Sequence, residues 1–176
     1  VALSDSNGYI YDPDGIELDV VKQIKEVERG RIKEYVDRTS HKNATFTEGC
    51  SGIWSIKCDI ALPCATQNEI DGKSAEMLAK NGCYAVAEGA NMPSTPEAIE
   101  VYFANNMLYG PAKAANAGGV ATSGLEMSQN SMRYGWTFEE VDAKLKGIMQ
   151  SIFKSCDEAA KEYGMAGNYM AGANIA

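Results

Sequence analysis

Histidine is nearly missing from this chain: His41 is the only one in 176 residues. The five cysteines (Cys50, Cys58, Cys64, Cys83, Cys156) contain no C-x-x-C pair. A Cys/His zinc site has little to draw on, so no metal is expected and the thiols are read as buried and reduced. Positive charge is also scarce, with 16 Lys+Arg against 24 Asp+Glu and a formal net charge of −8. That balance argues against nucleic acid or an anionic membrane surface as partner. No apolar run approaches the roughly 18 residues of a membrane span. No basic region followed by a hydrophobic stretch opens the chain as a signal peptide would. The expected setting is cytoplasmic. Neither an internal repeat nor a low-complexity segment is present.

What the chain does contain is short apolar runs alternating with helical periods. Val1-Ala2-Leu3 reads as a strand ending at Ser4-Asp5-Ser6, with Asn7-Gly8 as turn residues. Ile16, Val20, Ile24 and Val27 recur at helical spacing, and a shorter helix near 31–37 carries Ile32, Tyr35 and Val36. Ala44-Thr45-Phe46 is a brief strand candidate. Asp59–Leu62, Tyr84–Ala87 and Met107–Tyr109 are compact strand candidates, the first stopped by Pro63. Between them lie helices over Gly72–Lys80 and over Pro96–Ala104, the latter opened by a Thr95 cap with Pro96 behind it. Thr137 and Glu140 form a capping box for a long helix. Its stripe of Val141, Leu145, Ile148, Ile152, Phe153, Cys156, Ala160 and Tyr163 reads as core, and Gly164 stops it.

This alternation means an α/β unit with a mainly parallel sheet and helices on both faces. Ligands of such sheets sit beyond the carboxyl ends of the strands. Asp5, Cys64-Ala65-Thr66, Glu88–Asn91 and Gly110-Pro111 all fall at such ends, so four strand ends converge on one crevice.

One stretch stands apart. From Pro111 to Asn130, alanine and glycine dominate, and the chain is expected to turn through Gly118-Gly119 into a helix carrying Val120, Leu125, Met127 and Met132. Its polar groups are few: Lys113, Asn116, Thr122, Ser123, Glu126 and Gln129. A helix start with free N–H groups beside a hydroxyl suits a carboxylate or phosphate. A tightly packed loop-to-helix corner would show the same glycines.

The wording A-A-N-A-G-G-V-A-T-S-G-L-E-M-S-Q-N resembles the hexameric bacterial glutamate dehydrogenases, within the Glu/Leu/Phe/Val dehydrogenase family. S-D-S-N-G at 4–8, D-I-A-L-P-C-A-T-Q-N at 59–68, A-V-A-E-G-A-N-M-P at 85–93 and G-A-N-I-A at 172–176 carry the same resemblance, in order, over nearly the whole chain. It implies that residues 1–176 are part of the dinucleotide-binding domain of a longer two-domain dehydrogenase. Gly8, Gly15 and Gly30 do not form a G-x-G-x-x-G turn. Val1–Asp5 is therefore read as the second strand of a Rossmann-like fold, whose first strand and glycine-rich phosphate loop would precede residue 1. That first strand is central in the usual order, so unpaired edges are expected.

On this reading Asp5 either accepts from the adenine ribose hydroxyls or is a plain turn residue before Asn7-Gly8. Ser6 and Lys25 offer a hydroxyl and a cation for a 2′-phosphate, and S-D-S with I-K at 24–25 is similar to NADP-preferring members; NAD is the alternative coenzyme. The resemblance further implies that Ala65, Thr66 and Gln67 lie along the nicotinamide side and that Asn91 meets the carboxamide, which an amide suits because it both donates and accepts. For the substrate it implies Asn116 near the amino-acid head, Val120 against the methylenes and Ser123 on the side-chain carboxylate. The leucine- and phenylalanine-type relatives share N-A-G-G-V but lack that serine. No catalytic residue is expected in this chain, because the family's catalytic lysine and aspartate belong to the N-terminal domain. Lys113 in its small-residue pocket is read as structural, and His41 as a solvated loop residue.

The expected function is reversible oxidative deamination of L-glutamate to 2-oxoglutarate and ammonia with NADP or NAD, in a homohexamer. The chain alone, without the N-terminal domain, is expected to be inactive. The alternatives are a dehydrogenase for another amino acid, or a non-catalytic fragment that binds nucleotide or oligomerises.

Overall fold

The chain opens as a hairpin. In the computed structural model, which describes all of residues 1–176, β1 (Ala2–Asp5) pairs antiparallel with β2 (Gly8–Tyr11) across Ser6-Asn7. β3 (Thr45–Glu48) adds to the other side of β2, also antiparallel, with Gly8 opposite Glu48. Gly8 is thus a strand residue, not a turn residue. β3 passes so near that a Cβ at Gly8 would sit 2.2 Å from the Thr47 carbonyl oxygen, and glycine is what permits the approach.

Between β2 and β3 the chain forms α1 (Leu18–Lys22), a wider π turn over Gln23–Val27, a 3₁₀ turn over Ile32–Glu34 and α2 (Tyr35–Arg38). Ile10, Ile24, Ile32, Tyr35 and Ala44 bury together as a first core. Val27, expected on the same stripe as Ile24, is 67% exposed, because the π turn rotates it off the apolar face.

The second sheet is parallel, in the order β4 (Ile60–Ala61), β5 (Ala85–Ala87), β6 (Leu108–Gly110). Its crossovers are α3 (Gly72–Lys80) and α4 (Pro96–Ala104). Asp71 caps α3 by accepting from the Ser74 N–H, and Thr95 caps α4 with Pro96 in the first turn. The sheet and its crossover helices enclose a larger core that includes Trp54, Ile70, Leu78, Val86, Tyr102 and Tyr109. Each such side chain contributes on the order of 1.5–3 kcal/mol by leaving water. The expected α/β architecture with a parallel sheet is therefore present, accompanied by an antiparallel sheet that sequence patterning did not separate from it.

β1 and β4 do not pair. Between them runs a groove of about 720 Å³, walled by Val1, Leu3, Ile60 and Leu62, whose apolar side chains are all exposed.

The remaining third of the chain is helical: α5 (Ala112–Ala115), α6 (Ala117–Met132), α7 (Phe138–Glu162) and α8 (Tyr169–Ile175). Thr137 and Glu140 close the expected capping box at the head of α7. The α7 stripe is only partly core. Cys156 and Ala160 are buried, but Phe153 and Tyr163 are 57% and 61% exposed, since α8 packs on one portion of the helix only. No helix is long and apolar enough to cross a membrane.

Candidate functional site

Three segments meet beyond the carboxyl ends of the parallel strands. The loop after β4 contributes Ala65, Thr66 and Gln67, and the loop after β5 contributes Gly89, Ala90 and Asn91. The α5–α6 corner contributes Asn116 and Val120. Together they line a cleft of about 570 Å³. Six residues singled out from the sequence (Ala65, Thr66, Gln67, Asn91, Asn116, Val120) thus share one wall.

Each segment is held by a specific acceptor. Glu69 accepts from the N–H groups of Ala65 (3.0 Å) and Thr66 (2.7 Å), which curls the first loop back on itself. That loop ties to the second through Asn68 N–H to Met92 O at 3.0 Å and Ile70 N–H to Pro93 O at 2.9 Å. Glu88, 2% exposed, organises the second loop: it accepts from Ser94 N–H at 3.2 Å and from Ala112 N–H at 2.8 Å. Burial, with the Glu88 carboxylate nearby, pushes the Tyr109 phenol above the ordinary tyrosine range. Glu88 is structural in this arrangement; it joins β5, β6 and the head of α5. At Gly89 a Cβ would meet the Cys64 Sγ at 2.5 Å, so the two loops run close and a side chain there would push the Cys64 thiol aside.

The third segment differs from expectation. No turn occurs at Gly118-Gly119, which lie inside α6. The helix begins earlier, behind Pro111, and the break falls at Asn116. Gly118 packs against α7, where a Cβ would stand 3.4 Å from the Met149 sulfur. At the start the structure shows, behind Pro111, the Ala112 N–H donates to Glu88. Asn116 itself spans the cleft floor: its Nδ2 donates to Ala90 O at 3.2 Å and to Asn91 Oδ1 at 2.6 Å. Ser123 does not line the cleft. It stands one turn beyond Val120, exposed, with its hydroxyl donating to Gly119 O at 3.4 Å. Lys113 points elsewhere, donating to Asn174 and lining a separate depression between α5 and α7.

A second cluster forms at the end of β1. Asp5 is not a free acceptor. Its Oδ2 accepts from Lys25 Nζ (3.2 Å) and Ile32 N–H (2.9 Å), and its Oδ1 from Asn7 N–H (3.0 Å). Burial opposes ionisation, but these donors outweigh it and hold the carboxyl below its ordinary range. Lys25 likewise divides its ammonium between Asp5 and Gly30 O. The exposed group is a pair that sequence reasoning missed: Arg31 Nη1 donates to Ser6 Oγ at 2.8 Å. A cation 25 residues from the S-D-S string leaves no local signal; only the fold brings it there.

The model of the Glutamate/Leucine/Phenylalanine/Valine dehydrogenase family matches residues 1–176, and the chain belongs to that family. It is 54% identical to a glutamate dehydrogenase of Bacteroides thetaiotaomicron, over 100% of this chain and 39% of that protein. It is 52% identical to an NADP-specific glutamate dehydrogenase of Helicobacter pylori, over 100% of this chain and 40% of that protein. The crystal structure of Plasmodium falciparum glutamate dehydrogenase superposes with a TM-score of 0.88 at 49% identity, over 99% of this chain and 38% of that one. The chain spans about two fifths of the length of the relatives it matches.

Proposed function

We propose that the chain is the greater part of the coenzyme-binding domain of a glutamate dehydrogenase that interconverts L-glutamate with 2-oxoglutarate and ammonia. The observation that carries this reading is the shared cleft: Thr66, Gln67, Asn91, Asn116 and Val120 come from three segments yet line one wall. When bound, a nicotinamide coenzyme supplies or accepts the hydride. The residues here fit it by donor chemistry. Asn91 gives its Oδ1 to Asn116, which fixes the amide and leaves its NH₂ to donate to a carboxamide oxygen. Ala65, Thr66 and Gln67 border the same side. Val120 presents an apolar surface to the substrate methylenes, and Ser123, exposed one turn beyond it and outside the cleft lining, would turn its hydroxyl from Gly119 O to a distal carboxylate that reaches past Val120.

NADP is the favoured coenzyme. Ser6 and Arg31 offer an exposed hydroxyl and a fixed guanidinium for a 2′-phosphate, while Asp5 and Lys25 position them. The groove between β1 and β4 takes a central strand from the rest of the protein, which also brings the phosphate loop. The proton-transfer lysine and aspartate belong to the N-terminal domain across the cleft. The partners are that domain and further copies of the protein in a hexamer, and the setting is cytoplasmic.

The test is the intact enzyme with 2-oxoglutarate and ammonium, followed by loss of reduced-nicotinamide absorbance with NADPH and with NADH. Oxidation of NADPH in preference to NADH is expected. Turnover of a different 2-oxo acid with none of 2-oxoglutarate would overturn the substrate assignment, and equal rates with both coenzymes the phosphate site.

A further inference from the structure

Two thiols stand side by side where β4 and β5 begin. Ile60 pairs with Ala85 in the parallel ladder, and Cys58 and Cys83 each lie two residues before that pair. Tyr84 N–H donates to Asp59 O at 3.0 Å and carries the ladder to the residues beside them. Parallel neighbours are about 4.8 Å apart, inside the roughly 4.4–6.8 Å Cα separation that a disulfide spans. Both thiols meet in the core beneath the parallel sheet: Cys83 is buried there with Ala61 and Val86, and the half-buried Cys58 packs against the same cluster. All five cysteines are free thiols in the structure.

We propose that Cys58 and Cys83 form a redox-active dithiol that closes reversibly to a disulfide when the protein meets a peroxide.

The chemistry follows from the pairing. The Cys58 thiol beside it and the backbone groups of Ala85 and Ala61 lower the Cys83 thiol below its ordinary range, although burial opposes this. The same contact pushes Cys58 up. As a neutral thiol Cys83 donates to Ala85 O at 3.3 Å. The Cys83 thiolate attacks one oxygen of hydrogen peroxide, forming an S–O bond and releasing hydroxide, which takes a proton to become water. Cys83 is then a sulfenic acid. The Cys58 sulfur attacks that sulfur, the S–O bond breaks, and the departing hydroxide takes the Cys58 proton as a second water. The two sulfurs lose two electrons together and the peroxide gains them. A dithiol reductant reverses the step by exchange. Cys58 is the half-buried member and lines the β1–β4 groove, whereas Cys83 is 3% exposed. The nucleophile is thus sheltered and only a small oxidant reaches it.

The experiment uses the intact protein, so that whatever occupies the groove is in place. It is titrated with hydrogen peroxide, alkylated and digested without reduction. The exposed Cys50 and Cys64 serve as internal standards. The expected product is a Cys58–Cys83 cross-linked peptide that disappears after dithiothreitol. In Cys58→Ser, whose replaced side chain is only half-buried, Cys83 is expected to accumulate as a trappable sulfenic acid with no cross-link. The proposal is overturned if Cys58 and Cys83 remain alkylatable at doses that oxidise Cys50 and Cys64. It is equally overturned if either cross-links to another cysteine, or if wild-type Cys83 is oxidised without joining Cys58.

Discussion

Asn116 donates its side-chain amide to Asn91 Oδ1 at 2.6 Å, across 25 positions of sequence. With the second bond to Ala90 O, it couples the α5–α6 corner to the loop after β5. These are the two segments beside which a coenzyme amide and a substrate head would have to be held together.

Removing that coupling should cost turnover more than fold. Asn116→Ala loses two hydrogen bonds worth about 1 kcal/mol each, and Asn91 is left free to rotate. In the intact enzyme kcat/KM is expected to fall at least about tenfold, with Tm lowered by only a few degrees. Steady-state kinetics beside a thermal melt checks it; unchanged kcat/KM would detach Asn116 from the site.

The Ser6–Arg31 pair predicts a selective effect on coenzyme. Arg31→Ala removes a charge-assisted contact to a phosphate, worth roughly 1.5–3 kcal/mol. The KM for NADPH should rise more than about tenfold while that for NADH stays within about twofold. Comparing both coenzymes on one preparation separates a lost phosphate site from a damaged fold.

Glu88 is predicted to matter for stability. Glu88→Ala strands the Ser94 and Ala112 N–H groups, at about 1–3 kcal/mol for an unsatisfied group. A loss of roughly 3 kcal/mol is expected, visible as a lower denaturation midpoint. A loss confined to kcat, with the midpoint unchanged, would instead make Glu88 a chemical participant.

His41 and Asp12 set a pH window. The hydrogen bond to Asp12, at 2.8 Å, raises His41 above its ordinary value. Its contribution is complete below the unfolded value near 6.5 and is lost as pH rises through the folded one. Asp12 is fully buried, which opposes ionisation, but bonds from Tyr35, His41 and the Asp14 N–H outweigh burial and lower it. Its contribution is present above an unfolded value near 4 and is lost as pH falls through the depressed one. Tm should therefore be highest between about pH 4 and 6.5. His41→Gln should flatten the alkaline limb and keep the acid one; melts across pH on both proteins decide it.

Local signals were the legible part of this chain. Thr95-Pro96 and the Thr137–Glu140 box marked helix starts because capping is settled within four residues. The cleft residues were found through motif wording, and the fold then gathered them on one wall. Distant pairings were not legible. His41 was expected in solvent, yet it bonds a buried carboxylate 29 positions away. Gly8 was read as a turn residue, but the approach of β3, nearly forty residues on, is what requires it. Gly118 was read as a bend, and its neighbour is Met149 on another helix. Arg31 carried no local pattern at all. Glycine announces a constraint without saying whether the constraint is a dihedral angle or a neighbour.

The gap between β1 and β4 leaves two hydrophobic cores that do not merge, five buried residues under the antiparallel sheet and eleven under the parallel one. Separate cores open separately, so the chain by itself should breathe in halves. Backbone amides of β2 are expected to exchange with deuterium well before those of β5, each half at its own opening free energy. A strand seated in the groove would bond both edges and fuse the halves into one cooperative unit, so the two exchange rates would converge in the intact protein.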